Sequence, residues 1–371
     1  MVLRIYGLSI AVTVVSLIAA FLYGGPEAFI LCAILGILEV SLSFDNAVIN
    51  ATVLERMSEF WQKIFLTIGV VIAVFGMRLV FPLAIVWITA GLNPAKAFDL
   101  AMNVPSAEEQ AAGVKSYETL LTDAHPSIAA FGGMFLLMLF LNFIFEEREI
   151  TWLSWLEKPL SKAGKMDMVA VVVAGIALLL TAEFLTKGED RTTVLIAGLL
   201  GMVVYIAVDG LGSMFHTDEL VEEHEHSGPS TLVKATGKAA FFLFLYLEVL
   251  DASFSFDGVI GAFAITSDPI IIALGLGLIG AMFVRSITVY LVRKGTLAEY
   301  VYLEHGAHWA IGALAIILFI SIKVHVPELV TGLIGVALIG AAFITSIIRN
   351  KRDGGDDAPE PELEKSATPV A

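Results

Sequence analysis

The sequence predicts an all-α polytopic membrane protein of about ten transmembrane helices containing an inverted three-helix repeat. Three observations predict it. Apolar residues make up 57% of the 371. They collect into runs of about twenty, the length that spans a bilayer core of roughly 30 Å. The runs are continuous and not alternating, which excludes a transmembrane barrel. The stretch "SLSFDNAVI" at 41–49 returns as "ASFSFDGVI" at 252–260, an acid set twice in apolar sequence.

The expected spans are 3–23, 27–50, 62–89, 127–145, 167–186, 192–211, 238–265, 269–292, 306–323 and 327–349. The first reads as a retained helix and not a signal peptide, because its apolar run exceeds 7–15 residues and no A-x-A-like site follows. Residues 1–26 then form an N-terminal helix and 27–146 a first repeat unit, with its acidic motif at 39–46 and an outer segment at 90–126. Linking helices and a His/acid-rich loop fill 147–236, and a second repeat unit fills 237–325 with its motif at 248–258. A last helix covers 326–350, and the acidic tail 351–371 has too little apolar content to fold. Within the outer segment, "SAEEQAAGVKSYETLLTDAH" has the spacing of a short amphipathic helix.

With these spans, fifteen of the 22 Lys and Arg fall on the N-terminal side and five on the other. The positive-inside bias then puts both termini in the cytoplasm of an inner or plasma membrane. The net charge of −15 offers no basic groove for nucleic acid. A lone Cys32, inside a span, excludes disulfides and zinc-thiolate sites.

The two acidic motifs lie five spans apart and so cross the membrane in opposite directions. Each is followed by a span with a buried arginine, Arg78 in "VFGMRLVFP" and Arg285 in "IGAMFVRSI". An acid span followed by an arginine span, repeated upside down, marks an inverted-repeat transporter. Aligning Asp45 with Asp257 places Glu39 opposite Asp251 and Ser43 opposite Ser255. Glu248 joins the Asp251 face at i−3. Six residues separate the two acids of each motif, about 120° around an unbroken helix and roughly 9 Å along it. Either the acids face partners on the opposite repeat, or the helices unwind near Ser43–Asn46 and Ser255–Gly258. Unwinding is the expected solution, since Gly258 tolerates irregular backbone.

Ionised residues at mid-bilayer cost about 3 kcal/mol each on insertion scales. Glu39, Asp45, Glu248, Asp251, Asp257, Arg78 and Arg285 must therefore face the bundle interior, paired, protonated or bound to a cation. Five acids against two arginines leave an excess that pairing alone does not balance. The donors are carboxylate, amide and hydroxyl oxygens, which suit Mg²⁺, Ca²⁺, Mn²⁺ or Na⁺ and not Cu⁺ or Zn²⁺. Clustered acids with low-dielectric walls also favour exchange with a proton.

The motifs "LEVSLSFDNAVI" and "LDASFSFDGVIGAFAITSDP", with "FGMRLVFP" and the arginine of "GAMFVRS", resemble the TerC, or tellurium-resistance, family of integral membrane proteins. The resemblance covers spans 2 to 4 and 7 to 9, and that family is similar to LysE-type exporters in its repeat. It implies export of a divalent metal, Mn²⁺ first and Ca²⁺ second, as substrate and not as resident cofactor. Glu39, Asp45, Asn46, Asp251 and Asp257 would hold the metal, supported by Ser43, Glu248, Ser255, Arg78 and Arg285. H⁺ or Na⁺ would be the coupling ion, and a homodimer is compatible with it. Gly258 departs from the family's usual Asp-Ser. With 90–126 and "YLEHGAHWAIG", it marks a divergent branch.

Two further clusters are candidate accessory metal sites. "HTDELVEEHEHSG" packs His216, His224 and His226 among acids, although a solvated loop is the plainer reading. "LEHGAHW" spaces Glu304, His305 and His308 for one helix face, either to bind metal or to start a helix at the interface with Trp309 as anchor. Glu183 and Asp209 read as acids near the interface. No enzyme motif is present, and an intramembrane aspartyl protease built on Asp45 and Asp257 would leave the other acids unexplained. The alternative to a transporter is a membrane scaffold or stress-resistance partner whose acids are structural.

Overall fold

The computed structural model describes residues 2–89, 91–103, 105–106, 110, 113–166, 168–186, 188, 190–224, 234–266, 268–294 and 300–356. His226 and the tail beyond Asp356 lie outside the described residues, as do the side chains of Asp45, Asp257, His216 and His224. Helices account for nearly everything else. They are α1 (Val2–Leu42), α2 (Phe44–Glu55), α3 (Glu59–Ile88), α4 (Pro94–Met102), α5 (Tyr117–Phe145) and α6 (Ser154–Ala163). Then come α7 (Val169–Leu185), α8 (Arg191–His224), α9 (Gly237–Ile265), α10 (Pro269–Val292), α11 (Leu303–Ser321) and α12 (Glu328–Asp356). Among the described residues the β-structure is one isolated bridge, Met57 to Ala235.

Seven of these helices are long and apolar enough to cross a membrane. The chain is a multi-pass membrane protein. Large apolar side chains such as Leu22, Ile37, Val80 and Leu180 point outward, as lipid-facing helices require. The expected spans at 167–186 and 238–265 correspond to α7, which is shorter, and to α9, which carries Glu248, Asp251 and Asp257.

One of the seven, Ile5–Val40, takes in most of the first expected span, 3–23, and the first part of the second, 27–50, which continues into α2. It is broken at Gly24 and Gly25, the latter at φ 69°, a left-handed conformation natural to glycine, and Pro26 starts the second limb. Both limbs pack on α10 but in opposite senses. Ser9 Oγ donates to Met282 O at 2.7 Å and Ser286 Oγ to Ile5 O at 3.2 Å, so the first limb runs antiparallel to α10. On the second limb Cys32 and Leu35 pack at Gly275, Gly36 at Ile279 and Glu39 at Gly280, which is a parallel order. The break is a hairpin.

The most buried long helix is α5, held between α8, α9 and α11. Small residues let the backbones close up, as at Gly133 against Leu318 and Phe319. The expected amphipathic stretch, 106–125, falls partly outside the described residues; within it Gln110 is helical, its N–H bonding to Ser106 O at 2.9 Å. Asn93 caps α4, its Oδ1 accepting from Lys96 N at 2.8 Å, with Pro94 in the first turn. Ser116 then caps α5, so Tyr117–His125 belongs to the long helix. Asparagine before proline and serine three before threonine are the cap signals that start these two helices.

The buried apolar residues form two clusters. One gathers Val48–Met57 of α2 with Ala239–Leu250 of α9; the other gathers Cys32 and Leu35 of α1 with Val259 and Ala262 of α9. Both motif helices therefore pass from one cluster to the other, in opposite directions. The acids sit at the seam between the clusters.

A candidate functional site in a buried acid, amide and arginine network

Glu39 reaches the seam near the end of α1, where it is 2% exposed. Ser43 Oγ, one turn on, donates to Glu39 Oε1 at 2.7 Å. Arg78 Nη2 forms a buried ion pair with the same oxygen, and its Nη1 donates to Ala73 O at 2.9 Å. The backbone around Arg78 widens into a π-helix over Ile72–Val80, and α10 does likewise over Ala273–Gly280, just before Arg285. Such bulges concentrate at functional sites. Gly280 lies directly on the Glu39 side chain, leaving no room for a Cβ.

Asp251 is the corresponding acid of the second motif, and it too is buried. Asn46 Nδ2 donates to Asp251 Oδ1 at 2.7 Å, and Ser255 Oγ to Asp251 Oδ2 at 3.4 Å. On the other side of the crossing, a Cβ on Gly258 would stand 3.2 Å from Glu39 Oε2. Asn46 follows Asp45 as Gly258 follows Asp257. Each motif thus sets the residue after its aspartate against the leading acid of the other motif.

The backbone meets the six-residue separation by crossing more than by unwinding. At Ser43 the helix bends, with φ −97° and ψ 18°, while Ser43 N still bonds to Glu39 O and Ala47 N to Ser43 O. In the second motif, α9 stays helical through Ser255–Gly258. The expected break there is absent, because the glycine is used for close approach to Glu39 and not for a turn.

Beside this network lies a cavity of about 30 Å³ lined by Asn50, Arg78, Glu248, Asp251, Arg285 and Thr288, with apolar side chains around them. That is room for about two water-sized occupants. Glu248 is 6% exposed, and neither of its carboxylate oxygens has a hydrogen-bond partner among the described residues. The same holds for Asn50 Oδ1. Arg285 Nε donates to Leu66 O at 2.7 Å. Among the described side chains, the seam brings together the acids Glu39, Glu248 and Asp251 and the arginines Arg78 and Arg285. Asn50 was missed by sequence reasoning, although its spacing one turn after Asn46 in an apolar stretch was a signal.

The family described as "protein of unknown function (DUF475)" matches residues 44–353, most of the chain. The chain belongs to the DUF475 family. The match takes in Asn46, Arg78, Glu248, Asp251 and Arg285, and begins just after Glu39. No curated protein and no solved structure matches.

Of the remaining candidates of this DUF475 protein, Asp209, Glu304 and His308 line a second, larger cavity of about 510 Å³ at the far end of α2, together with Arg56, Glu146 and Arg148, among others. Arg56 and Arg148 approach Glu304 Oε1 at 3.6 and 3.8 Å. His308 stacks on Phe143 at 3.6 Å, and its Nδ1 lies 2.8 Å from Glu304 O. His305 turns the other way, its Nδ1 3.2 Å from Glu157 Oε2. Glu304, His305 and His308 therefore do not gather as an accessory metal site, and among the described residues no three His, Cys, Asp or Glu do. Glu183 meets Arg191 at 3.1 Å on the surface.

Glu157, which sequence reasoning also missed, is the hub of this end. It is 4% exposed and accepts from Trp152 N at 3.0 Å, Leu153 N at 3.2 Å and Trp309 Nε1 at 3.1 Å. Burial works to raise its pKa, but His305, Trp309 and the Leu153 N–H outweigh it and hold the carboxyl at about 2. Trp309 is half-buried and ties α11 to α6 through its bond to Glu157. A glutamate in the first turn of an amphipathic helix was the signal.

Proposed function

We propose that this protein is a membrane transporter that carries a cation through the buried network, with a divalent cation as cargo, Mn²⁺ first and Ca²⁺ second, exchanged against H⁺ or Na⁺. The observation that carries the reading is the crossed pairing of the motifs, Asn46 on Asp251 and Gly258 on Glu39. It supports an inverted three-helix repeat whose two halves build one site, within a bundle of about ten spans. The resemblance to TerC-type and LysE-type proteins points the same way.

Cargo would be held by Glu39, Asp45, Asn46, Asp251 and Asp257. All offer hard oxygen donors, and none is soft. Arg78 now neutralises Glu39, so cargo and Arg78 compete for one carboxylate. Binding releases the arginine, and departure of the ion lets it return, which keeps the buried charge nearly constant through a cycle. A second reading, a membrane scaffold with structural acids, is favoured by how fully Ser43 and Arg78 satisfy Glu39.

Thermal unfolding of the purified protein with Mn²⁺, Ca²⁺, Mg²⁺ or Na⁺ separates the two. A cation at a hundredfold over its Kd adds about 2.7 kcal/mol of stability. A carrier shows this for at least one cation and loses it in Asp251→Asn. A scaffold responds to none.

A further inference from the structure

We propose that Glu248 is the proton-carrying residue of this protein, with Asn50 Oδ1 as acceptor of its hydrogen bond. Its role in coupling rests on the carrier reading above; its existence as a proton site does not. Glu248 and Asn50 bring three buried acceptor oxygens to one cavity of about 30 Å³, and none has a donor among the described residues. Acceptors cannot satisfy one another. An unpaired carboxylate away from water is costly, and a proton both removes the charge and supplies the missing donor.

A metal ion serves this cavity less well. Its charged neighbours are Asp251 on the same helix, Arg78 on α3 and Arg285 on α10, while α2 contributes Asn50 and no charge. Two guanidinium groups repel a cation, and much of the remaining wall, Phe65, Leu66, Val70 and Val284, offers no oxygen side chain for a shell of six or more ligands. A proton needs no shell.

The register of the motifs makes the site single. The offset that places Asp251 on Glu39 places Glu248 on Gly36 and Asn50 on Ala262. The motif acids come in pairs, but this acid and its amide occur once, one from each half. One proton per cycle follows.

The test uses the full-length protein in liposomes. Infrared difference spectra taken across pH should contain a protonated-carboxyl band that Glu248→Gln removes and that Asn50→Leu, keeping the acid but deleting its acceptor, shifts. When Mn²⁺ is offered, wild type should move protons in exchange for the metal, and Glu248→Gln should not. A band unchanged in both variants overturns the proton site. Proton movement that persists in Glu248→Gln overturns its coupling role. If wild type moves no cation at all, the carrier reading falls and the coupling role with it, while the spectra still decide whether Glu248 holds a proton.

Discussion

Asn46 and Asp251, 205 residues apart, meet at 2.7 Å where two helices cross in opposite senses between two apolar clusters. The bond gives a buried carboxylate one of its few donors and joins the halves of the chain at their acidic motifs. Asn46→Ala removes the donor and leaves Asp251 under-satisfied, at a cost of about 1–3 kcal/mol. Chemical or thermal unfolding in detergent measures it. An unchanged midpoint would mean that water replaces the amide, contrary to the burial of both residues.

Glu39 and Arg78 form the ion pair at the same depth. Breaking a buried pair from one side strands a charge, so Glu39→Gln or Arg78→Gln alone should each cost about 3–5 kcal/mol. The double variant removes both charges and should cost clearly less than the sum. Additive losses in a double-mutant cycle would show that the two residues do not act as a pair.

Gly280 and Gly175 predict opposite signs for one chemical change. A methyl at Gly280 collides with the Glu39 side chain, whereas one at Gly175 on α7 meets nothing within 4 Å. Gly280→Ala should lose about 1–3 kcal/mol through overpacking and weaken any response to cation. Gly175→Ala should gain about 0.5–1 kcal/mol of helix propensity. Equal shifts in unfolding midpoint would contradict the close approach.

Glu157 sets an acid limit. Its carboxyl is held at about 2, below its ordinary 4.5, so its contacts contribute stability that is complete above about pH 4.5. That contribution fades as pH falls toward 2, because protonation removes the acceptor that His305, Trp309 and Leu153 share. Glu157→Gln should lower stability at neutral pH and flatten the stability profile across that window. A variant profile parallel to wild type would place the titration elsewhere.

The helices were legible in the sequence because a bilayer leaves a chain one economical way to satisfy its backbone, and runs of twenty apolar residues announce it. The hairpin at Gly24–Gly25–Pro26 and the buried arginines were readable for the same reason. The acids Glu39, Asp251 and Glu248 stood out as costly exceptions. Asn50 and Glu157 stood out less, since an amide in a helix and a glutamate beside Lys158 take on their meaning once their neighbours are known. The crossing of the motifs was one of two solutions that the spacing left open. Spacing along one helix cannot report contacts across 205 residues, and so unwinding was the expected solution where α9 in fact stays helical and meets its partner through Asn46 and Gly258.

The most direct test is ion flux in proteoliposomes, with Mn²⁺, Ca²⁺, Mg²⁺ and Na⁺ offered in turn under pH or sodium gradients of either sign. Wild type runs beside Asp45→Asn and Asp257→Asn, each checked for folding. The account predicts movement of a divalent cation, Mn²⁺ foremost, that both substitutions abolish. No flux of any cation from folded wild type, or flux that survives both substitutions, would contradict it.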